Sequence, residues 1–232
     1  MSNLNAFPIS QKWPAQDPSV LQLYSFPTPN GVKVSIALEE MGIPYEAHTV
    51  GLSDANVKSP EFLSLNPNNK IPAIIDPNGP DGEPIGLFES GAILIYLAEK
   101  SGKLFGYSAS EKAKITQWLM FQMGGLGPMF GQMGFFYKFA GSKWEDKRPL
   151  ERYLGESKRL MGVLEKELEG KTWIVGDYSI ADIAIAPWLN ATVFYGTQDI
   201  LGWDDHPNIK AYLERFMARP AVQKGKDIPP RG

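Results

Sequence analysis

The chain has 232 residues, 43% of them hydrophobic and 21% charged, which is enough to bury the core of one or two domains. Its net charge of −3 argues against nucleic acid or an anionic membrane as a partner, because both are bound by concentrated positive charge. The chain has no cysteine, which excludes disulfides, zinc sites with cysteine ligands and a redox centre made of its own thiols. It has only two histidines, so no metal site is expected.

The first 19 residues are polar and dotted with prolines. They lack the basic start and apolar core of a signal peptide, and no run of about 18 apolar residues occurs, so we expect a cytoplasmic protein without a membrane span. We interpret residues 1–19 as an arm that runs over the surface. Phe7 and Trp13 could attach this arm to the body of the protein or to a second subunit.

The next part of the chain, up to residue 101, has the pattern of an alternating α/β domain. Short apolar runs predict strands, and apolar residues at helical spacing predict helices between them. Gly42 ends the first helix, and Ser59 followed by Pro60 begins the second. The predicted order is β-α-β-α-β-β-α, with strands at 20–24, 44–50, 71–75 and 84–88 and helices that end near 40, 65 and 100.

The rest of the chain predicts helices only. The motif Gly-Gly-Leu-Gly-Pro at 124–128 interrupts a long apolar helix, and its proline should kink that helix. Ser179 and Asp182 match a capping box before another apolar run. Helices are expected at 111–140, at 148–168, after Ser179, and from Asp205 or His206 as the last one.

These patterns divide the chain into four parts. The first is the arm at 1–19, followed by an α/β domain at 20–101. A linker rich in turn residues at 102–110 leads to an all-helical domain at 111–232.

Pro72 interrupts an apolar, strand-like run at 69–74 (Asn-Lys-Ile-Pro-Ala-Ile). Because proline lacks a backbone donor, it must lie on a sheet edge, at a bulge or in a special bond. If the bond between Ile71 and Pro72 is cis, the backbone turns there and exposes the N–H and C=O of Ile71 to a ligand.

Glu89 and Ser90 open the helix that follows the fourth predicted strand. They bring together a carboxylate, a hydroxyl and the amide donors of a helix start. Such a set suits a small peptide that carries both an amino group and a carboxylate. A plain helix cap with nothing bound is the alternative, which the preceding Ile71–Pro72 disfavours.

Four sequence strings resemble the Nu class of the glutathione transferase superfamily, a bacterial disulfide-bond oxidoreductase type related to fungal prion-type nitrogen-regulator homologues. The resemblance runs from about Leu21 to Val222. It implies a thioredoxin-like α/β first half with a mixed four-strand sheet, an all-helical second half and a homodimer. The strings are 28–31 (Thr-Pro-Asn-Gly), 66–73 (Asn-Pro-Asn-Asn-Lys-Ile-Pro-Ala), 88–93 (Phe-Glu-Ser-Gly-Ala-Ile) and 124–128.

The resemblance also implies which residues bind glutathione. Glu89 would bind the γ-glutamyl ammonium and Ser90 the γ-glutamyl carboxylate. The backbone of Ile71, left unobstructed by Pro72, would pair with the cysteinyl part of the ligand. Lys70 is a candidate for the glycine carboxylate, although this chain lacks the glutamine that the class carries before its second helix.

Arg152 lies in the sequence Glu-Arg-Tyr at 151–153. The resemblance implies that it reaches into the site from the helical domain and binds the carboxylate of a second glutathione. A solvated arginine on a helix face is the alternative.

Thr28 and Asn30 are the candidates for stabilising the glutathione thiolate, a role that the resemblance assigns to this pair. A free cysteine thiol has a pKa of about 8.5, and lowering it by about two units needs roughly 2.7 kcal/mol. One hydrogen bond to a charged acceptor supplies about 1.5–3 kcal/mol and a helix N-terminus about 0.3–1, so the pair suffices. Tyr24 is interpreted as core, Ser25 would serve in a serine-type transferase, and a plain N-cap is the alternative for Thr28.

The sequence therefore predicts an enzyme that reduces small disulfides with bound glutathione, through thiolate attack and mixed-disulfide exchange. Since the chain has no cysteine, two bound glutathiones would supply both sulfurs, as the resemblance implies. Reduction of organic peroxides and conjugation of electrophiles are alternatives within the enzymes. A non-catalytic binding or regulatory module is a third.

Overall fold

The computed structural model describes residues 4–231, which form two units by their internal contacts. The second unit is Leu104–Arg219, and the first contains the residues up to Lys103 together with those from Pro220 onwards. The segment after Pro220, which the sequence placed with the helical domain, packs against a helix of the first unit. Within the described residues, no helix is both long enough and apolar enough to cross a membrane.

The helices and strands follow the predicted order, with additional short helices. The first unit begins with α1 (Ile9–Lys12), β1 (Leu21–Ser25), α2 (Gly31–Met41), β2 (Tyr45–Thr49), α3 (Asp54–Val57), α4 (Pro60–Leu65), β3 (Ala73–Asp76), β4 (Ile85–Phe88) and α5 (Ser90–Ser101). The second unit contains α6 (Ala109–Phe121), α7 (Gly127–Tyr137), α8 (Arg148–Glu167), α9 (Ile180–Tyr195), α10 (Gln198–Leu201) and α11 (Pro207–Met217). The chain then returns to the first unit as α12 (Pro220–Gly225).

The sheet is mixed and has the strand order β2-β1-β3-β4. Strand β1 pairs parallel with β2 and antiparallel with β3, and β3 pairs antiparallel with β4. All residues of β1 are buried, as expected for a central strand covered on both faces. The predicted hairpin of β3 and β4, and the α/β first half with a helical second half, are confirmed.

Local sequence signals explain where several helices begin and end. Gly42 ends α2 in the left-handed conformation, with φ of 71°, which glycine adopts without steric cost. The Ser59 hydroxyl accepts a bond from the Phe62 N–H at 3.3 Å, and Pro60 occupies the first turn of α4. The prediction that the helix near His206 is the last one was wrong, because α12 follows it.

The N-terminal arm is attached to the first unit. Leu4 and Ile9 are buried in one apolar cluster with Tyr24 and Phe62. Trp13 packs edge-on against both of these rings and donates from Nε1 to the Thr49 carbonyl oxygen at 3.2 Å. Trp13 therefore attaches the arm to the body of the first unit, which is one of the two possibilities that the sequence left open.

The second unit has two predicted helix signals. The interruption at 124–128 takes the form of a π-helical turn, Gln122–Leu126, between α6 and α7. The capping box before α9 is complete, and Asp182 accepts bonds from the Ser179 N–H at 2.9 Å, the Ser179 hydroxyl at 3.1 Å and the Ile174 N–H at 3.1 Å. Asp182 is fully buried, so it satisfies donors that water cannot reach.

We expect Asp182→Ala to lower the free energy of unfolding by about 2–3 kcal/mol, because it leaves three donors without an acceptor in a buried place. Urea unfolding followed by circular dichroism measures this change. Asp204→Ala is the matched control, since the Asp204 carboxylate is exposed and forms a surface ion pair with Lys210. Equal shifts of the urea midpoint for the two variants would contradict the role given to Asp182.

Candidate functional site

Strand register brings the candidate residues of the first unit to one end of the sheet, where β1 and β4 end and β3 begins. Tyr24 of β1 lies opposite Ala73 of β3, and Ala73 lies opposite Phe88 of β4. Three segments leave the sheet from this line: the loop before α2, the Ile71–Pro72 segment and the start of α5. Pairing of distant strands therefore places Pro72 and Glu89 beside the end of β1.

The first segment ends at the N-terminus of α2. The Thr28 carbonyl oxygen accepts from the Val32 N–H at 3.0 Å, and the Thr28 hydroxyl accepts from the Gly31 N–H at 3.2 Å. Thr28 thus caps the helix, as expected from the alternative interpretation of Thr28 as a plain N-cap. A hydroxyl that accepts a bond still carries a hydrogen to donate, so capping is compatible with a second role toward a ligand. Asn30 already has helical backbone angles, with φ of −81° and ψ of −38°.

Gly31 is required by close packing at the same turn. A Cβ at this position would lie 1.9 Å from the Phe26 carbonyl oxygen and 2.6 Å from the Ser25 hydroxyl oxygen. The absence of a side chain therefore allows α2 to begin directly against the end of β1.

The second segment presents the backbone before β3. The bond between Ile71 and Pro72 is cis, which is one of the possibilities that the sequence left open for this proline; Pro72 is buried and Ile71 is half-buried. Asn66, only 2% exposed, donates to the Lys70 carbonyl oxygen and accepts from the Asn68 N–H at 2.9 Å. This buried amide holds the loop that leads to Ile71, while the Lys70 side chain is exposed.

The third segment is the start of α5. Glu89 precedes the helix with φ of 70° and ψ of 111°, a sparsely populated conformation for a residue with a Cβ. Its carbonyl oxygen accepts from the Ile93 N–H at 2.9 Å, and its side chain is exposed. The Ser90 side chain is nearly buried at the first helical position.

Lys33 is a site residue that the sequence reasoning missed. Its side chain is fully buried in the first turn of α2, and its Nζ donates to the Ser90 hydroxyl oxygen at 3.3 Å. Burial lowers the pKa of Lys33 to about 7, and the charge of Glu89 opposes this effect. The available signal was a lysine inside the apolar run Val-Lys-Val at 32–34, a position that a core-facing helix rarely gives to a charge.

The remaining candidates lie as follows. Tyr24 and Ser25 are both fully buried, so the interpretation of Tyr24 as a core residue is confirmed and Ser25 is not presented at the surface. Arg152 is an exposed residue of α8 in the second unit, so its role remains a prediction. Among residues 4–231, no group of three or more potential metal-binding side chains comes together.

Comparison with known families decides the identity of this arrangement. Residues 19–99 match the N-terminal domain of glutathione S-transferases, and residues 128–220 match the C-terminal domain of the same family. The chain belongs to the glutathione S-transferase family. Among its curated relatives is the disulfide-bond oxidoreductase YfcG of Escherichia coli, which is 46% identical over 205 residues, covering 88% of this chain and 93% of YfcG.

Solved structures of glutathione transferases are similar over the whole chain. An enzyme from Burkholderia graminis with two glutathione molecules bound per subunit is 62% identical, with a TM-score of 0.98 over 100% of this chain and 98% of that one. An enzyme from Pseudomonas putida with one glutathione disulfide bound per subunit is 59% identical, with a TM-score of 0.96 over 97% of this chain and 99% of that one. These similarities agree with the transferase fold of the two units.

We expect Gly31→Ala to destabilise the first unit by about 1–3 kcal/mol, because the added methyl group must displace the backbone at Phe26. Thermal unfolding checks the change. Gly162→Ala on α8 is the control: nothing lies within 4 Å of the added carbon, so helix propensity should leave stability equal or raise it by up to about 1 kcal/mol. A Gly31→Ala protein as stable as the wild type would contradict the packing argument.

Proposed function

We propose that this transferase uses bound glutathione to reduce small disulfides. The observation that carries the proposal is the convergence, at one end of the sheet, of a helix-capping hydroxyl at Thr28, the backbone of Ile71 and the start of α5 at Ser90. The chain supplies no thiol, so the reactive sulfur must come from the ligand. A relative of similar length is a disulfide-bond oxidoreductase, which supports the same reaction class.

The start of α5 suits the γ-glutamyl end of glutathione. Ser90 combines a hydroxyl with a position in the first turn of the helix, where backbone donors and the helix dipole favour a carboxylate. The exposed Glu89 carboxylate is adjacent and suits the ammonium of the same group. The strained backbone of Glu89 is consistent with a residue held in place for ligand binding.

The middle and the glycine end of glutathione would lie along the segment before β3. The half-buried Ile71 lies where an extended peptide can add antiparallel backbone bonds beside the sheet. Lys70 precedes it with an exposed ammonium for the glycine carboxylate. Asn66 holds this loop through the Lys70 carbonyl oxygen.

The cysteinyl sulfur would lie at the start of α2. The Thr28 hydroxyl, already accepting from Gly31, would donate its hydrogen to the thiolate, and Asn30 would add a polar donor at the same helix end. A hydrogen bond to a charged acceptor contributes about 1.5–3 kcal/mol, enough to lower a thiol pKa by about one to two units. At the upper end of this range the bound thiol would be largely ionised near neutral pH.

The reaction consists of two exchanges. A glutathione thiolate attacks the substrate disulfide, forms a mixed disulfide and expels one substrate thiolate. A second glutathione thiolate attacks the glutathione sulfur of the mixed disulfide, expels the other substrate thiolate and leaves glutathione disulfide. In our proposal Arg152 binds a carboxylate of this second glutathione, and the protein is a cytoplasmic homodimer.

Turnover of 2-hydroxyethyl disulfide with glutathione tests the proposed reaction. Parallel assays with an aryl halide and with cumene hydroperoxide measure conjugation and peroxide reduction. We expect the highest kcat/KM with the disulfide. Tight glutathione binding without turnover of any of the three substrates would favour a binding module instead.

For the thiolate, we expect Thr28→Val to reduce kcat/KM for the disulfide about 10- to 100-fold, because the variant keeps the side-chain shape and loses the hydroxyl, both as a donor to the thiolate and as the acceptor of the Gly31 N–H. The ultraviolet absorbance of the bound thiolate, followed against pH, should shift to a higher pKa. Thr28→Ser retains the hydroxyl and should stay within about threefold of the wild type. Unchanged turnover by Thr28→Val would remove Thr28 from the sulfur step.

For the γ-glutamyl end, we expect Ser90→Ala to raise the Kd for glutathione about tenfold and to change kcat little, because the hydroxyl binds the ligand equally in the ground and transition states. Isothermal titration calorimetry and steady-state kinetics measure the two effects. Ser64→Ala, an exposed hydroxyl on α4 that bonds to the Glu61 carbonyl oxygen, is the control. A loss confined to kcat would contradict this assignment.

A further inference from the structure

Lys33 occupies a place that is unfavourable for a cation. It lies in the first turn of α2, where the helix dipole disfavours positive charge, and its side chain has no exposed surface. Lysine is almost never fully buried unless it is paired, because removing an ammonium from water is costly. A neutral side chain of the same length would cost less here, so the charge calls for an explanation in terms of what lies around it.

The surroundings of Lys33 point toward the start of α5. Its ammonium donates to the Ser90 hydroxyl oxygen at 3.3 Å, and the exposed Glu89 is the neighbouring negative charge that acts on it. In this way Lys33 connects the first turn of α2 with the first turn of α5. Both turns belong to the proposed glutathione site.

A hydroxyl that accepts from an ammonium becomes a stronger donor through its own hydrogen, because hydrogen bonds in a chain polarise one another. Lys33 therefore prepares Ser90 to donate to an anion. An anion bound to the Ser90 hydroxyl would also lie close to the Lys33 ammonium, whose buried surroundings hold little water to screen its charge.

We propose that Lys33 is a positioning residue for glutathione, which holds the Ser90 hydroxyl and supplies a buried positive charge beneath the γ-glutamyl carboxylate. This assignment rests on the proposed function, because it takes glutathione as the ligand. Lys33 touches Ser90 and acts through it, so it is not assigned a part in the sulfur chemistry.

The assignment links ligand binding to a proton. Burial leaves Lys33 with a pKa of about 7, so at about pH 8 most of the free protein carries it uncharged. A bound carboxylate favours the charged form, so binding should raise this pKa and take up a proton. The affinity for glutathione should consequently fall as the pH rises above 7, because binding takes up a proton and the concentration of free protons decreases.

Other groups near α2 do not account for this linkage. The tyrosines of β1 and α5 have a pKa raised by burial, so they stay neutral at these pH values. The lysine of α12 pairs with Glu39 at 2.7 Å, and the lysine of α5 pairs with Asp76 at 2.7 Å. The titratable groups on the elements packed against α2 are Tyr24 on β1, Glu89, Tyr96, Glu99 and Lys100 at or on α5, and Lys224 on α12.

Isothermal titration calorimetry with S-methylglutathione tests the assignment, because this ligand keeps both carboxylates and has no thiol to ionise. Titrations at about pH 8 in buffers of different ionisation enthalpy give the number of protons taken up. For the wild type we expect about half a proton or more per ligand. For Lys33→Met we expect at least half a proton less than the wild type, and a Kd about tenfold higher.

Two further variants separate charge from structure. Lys33→Arg keeps a positive charge that does not titrate near pH 8. Its Kd for S-methylglutathione should stay within about fivefold of the wild type, and the proton uptake that Lys33 contributes should be lost. Lys58→Met removes an exposed lysine paired with Asp54 and should match the wild type in affinity and in proton uptake. Circular dichroism and thermal unfolding verify that each variant is folded.

The outcomes distinguish the two proposals. A wild type that does not bind S-methylglutathione overturns the proposed function and the role of Lys33 with it. A wild type that binds but takes up less than about 0.2 proton overturns the role of Lys33 alone, and this measurement needs no variant. A folded Lys33→Met that binds and takes up protons as the wild type does would overturn it equally.

Discussion

Hydrogen bonds between β1, β3 and β4 align Tyr24, Ala73 and Phe88 across the sheet. This register determines which loops are neighbours, because each of the three segments of the site begins one to a few residues beyond it. A slip by one residue in either pairing would turn every side chain of the slipped strand to the other face and change which residues lie beside Pro72 and Glu89. The buried central strand β1, apolar at most of its positions, is what makes such a slip costly.

The starts of two helices, α2 and α5, supply the polar groups at this end of the sheet. The start of α2 has a threonine cap and a glycine that fits only without a side chain, and the start of α5 has a strained glutamate followed by a nearly buried serine. A buried lysine bridges them. The arrangement brings the donors of two helix starts together, and such donors favour the binding of an anion or a thiolate.

Because the chain has no cysteine, any thiol that reacts in its site must come from a ligand. In our proposal two helix starts and one backbone segment hold glutathione, and glutathione brings the sulfur. Relatives with two glutathiones or one glutathione disulfide bound show that this fold accepts both redox forms of the ligand.

The amino-acid sequence alone determined most of the fold, because periodicity and caps are local signals. It located the four strands, the long helices and the caps at Ser59 and Ser179, and it singled out Pro72. Short helices such as α12 escaped it, since one or two turns carry too little periodicity to be recognised. Only the tertiary structure decided that Asn66 holds the loop before Ile71, that the arm packs through Trp13, and that Lys33 meets Ser90. Burial and long-range contact decide the roles of these polar side chains, and neither is a property of the residues next to them in the chain.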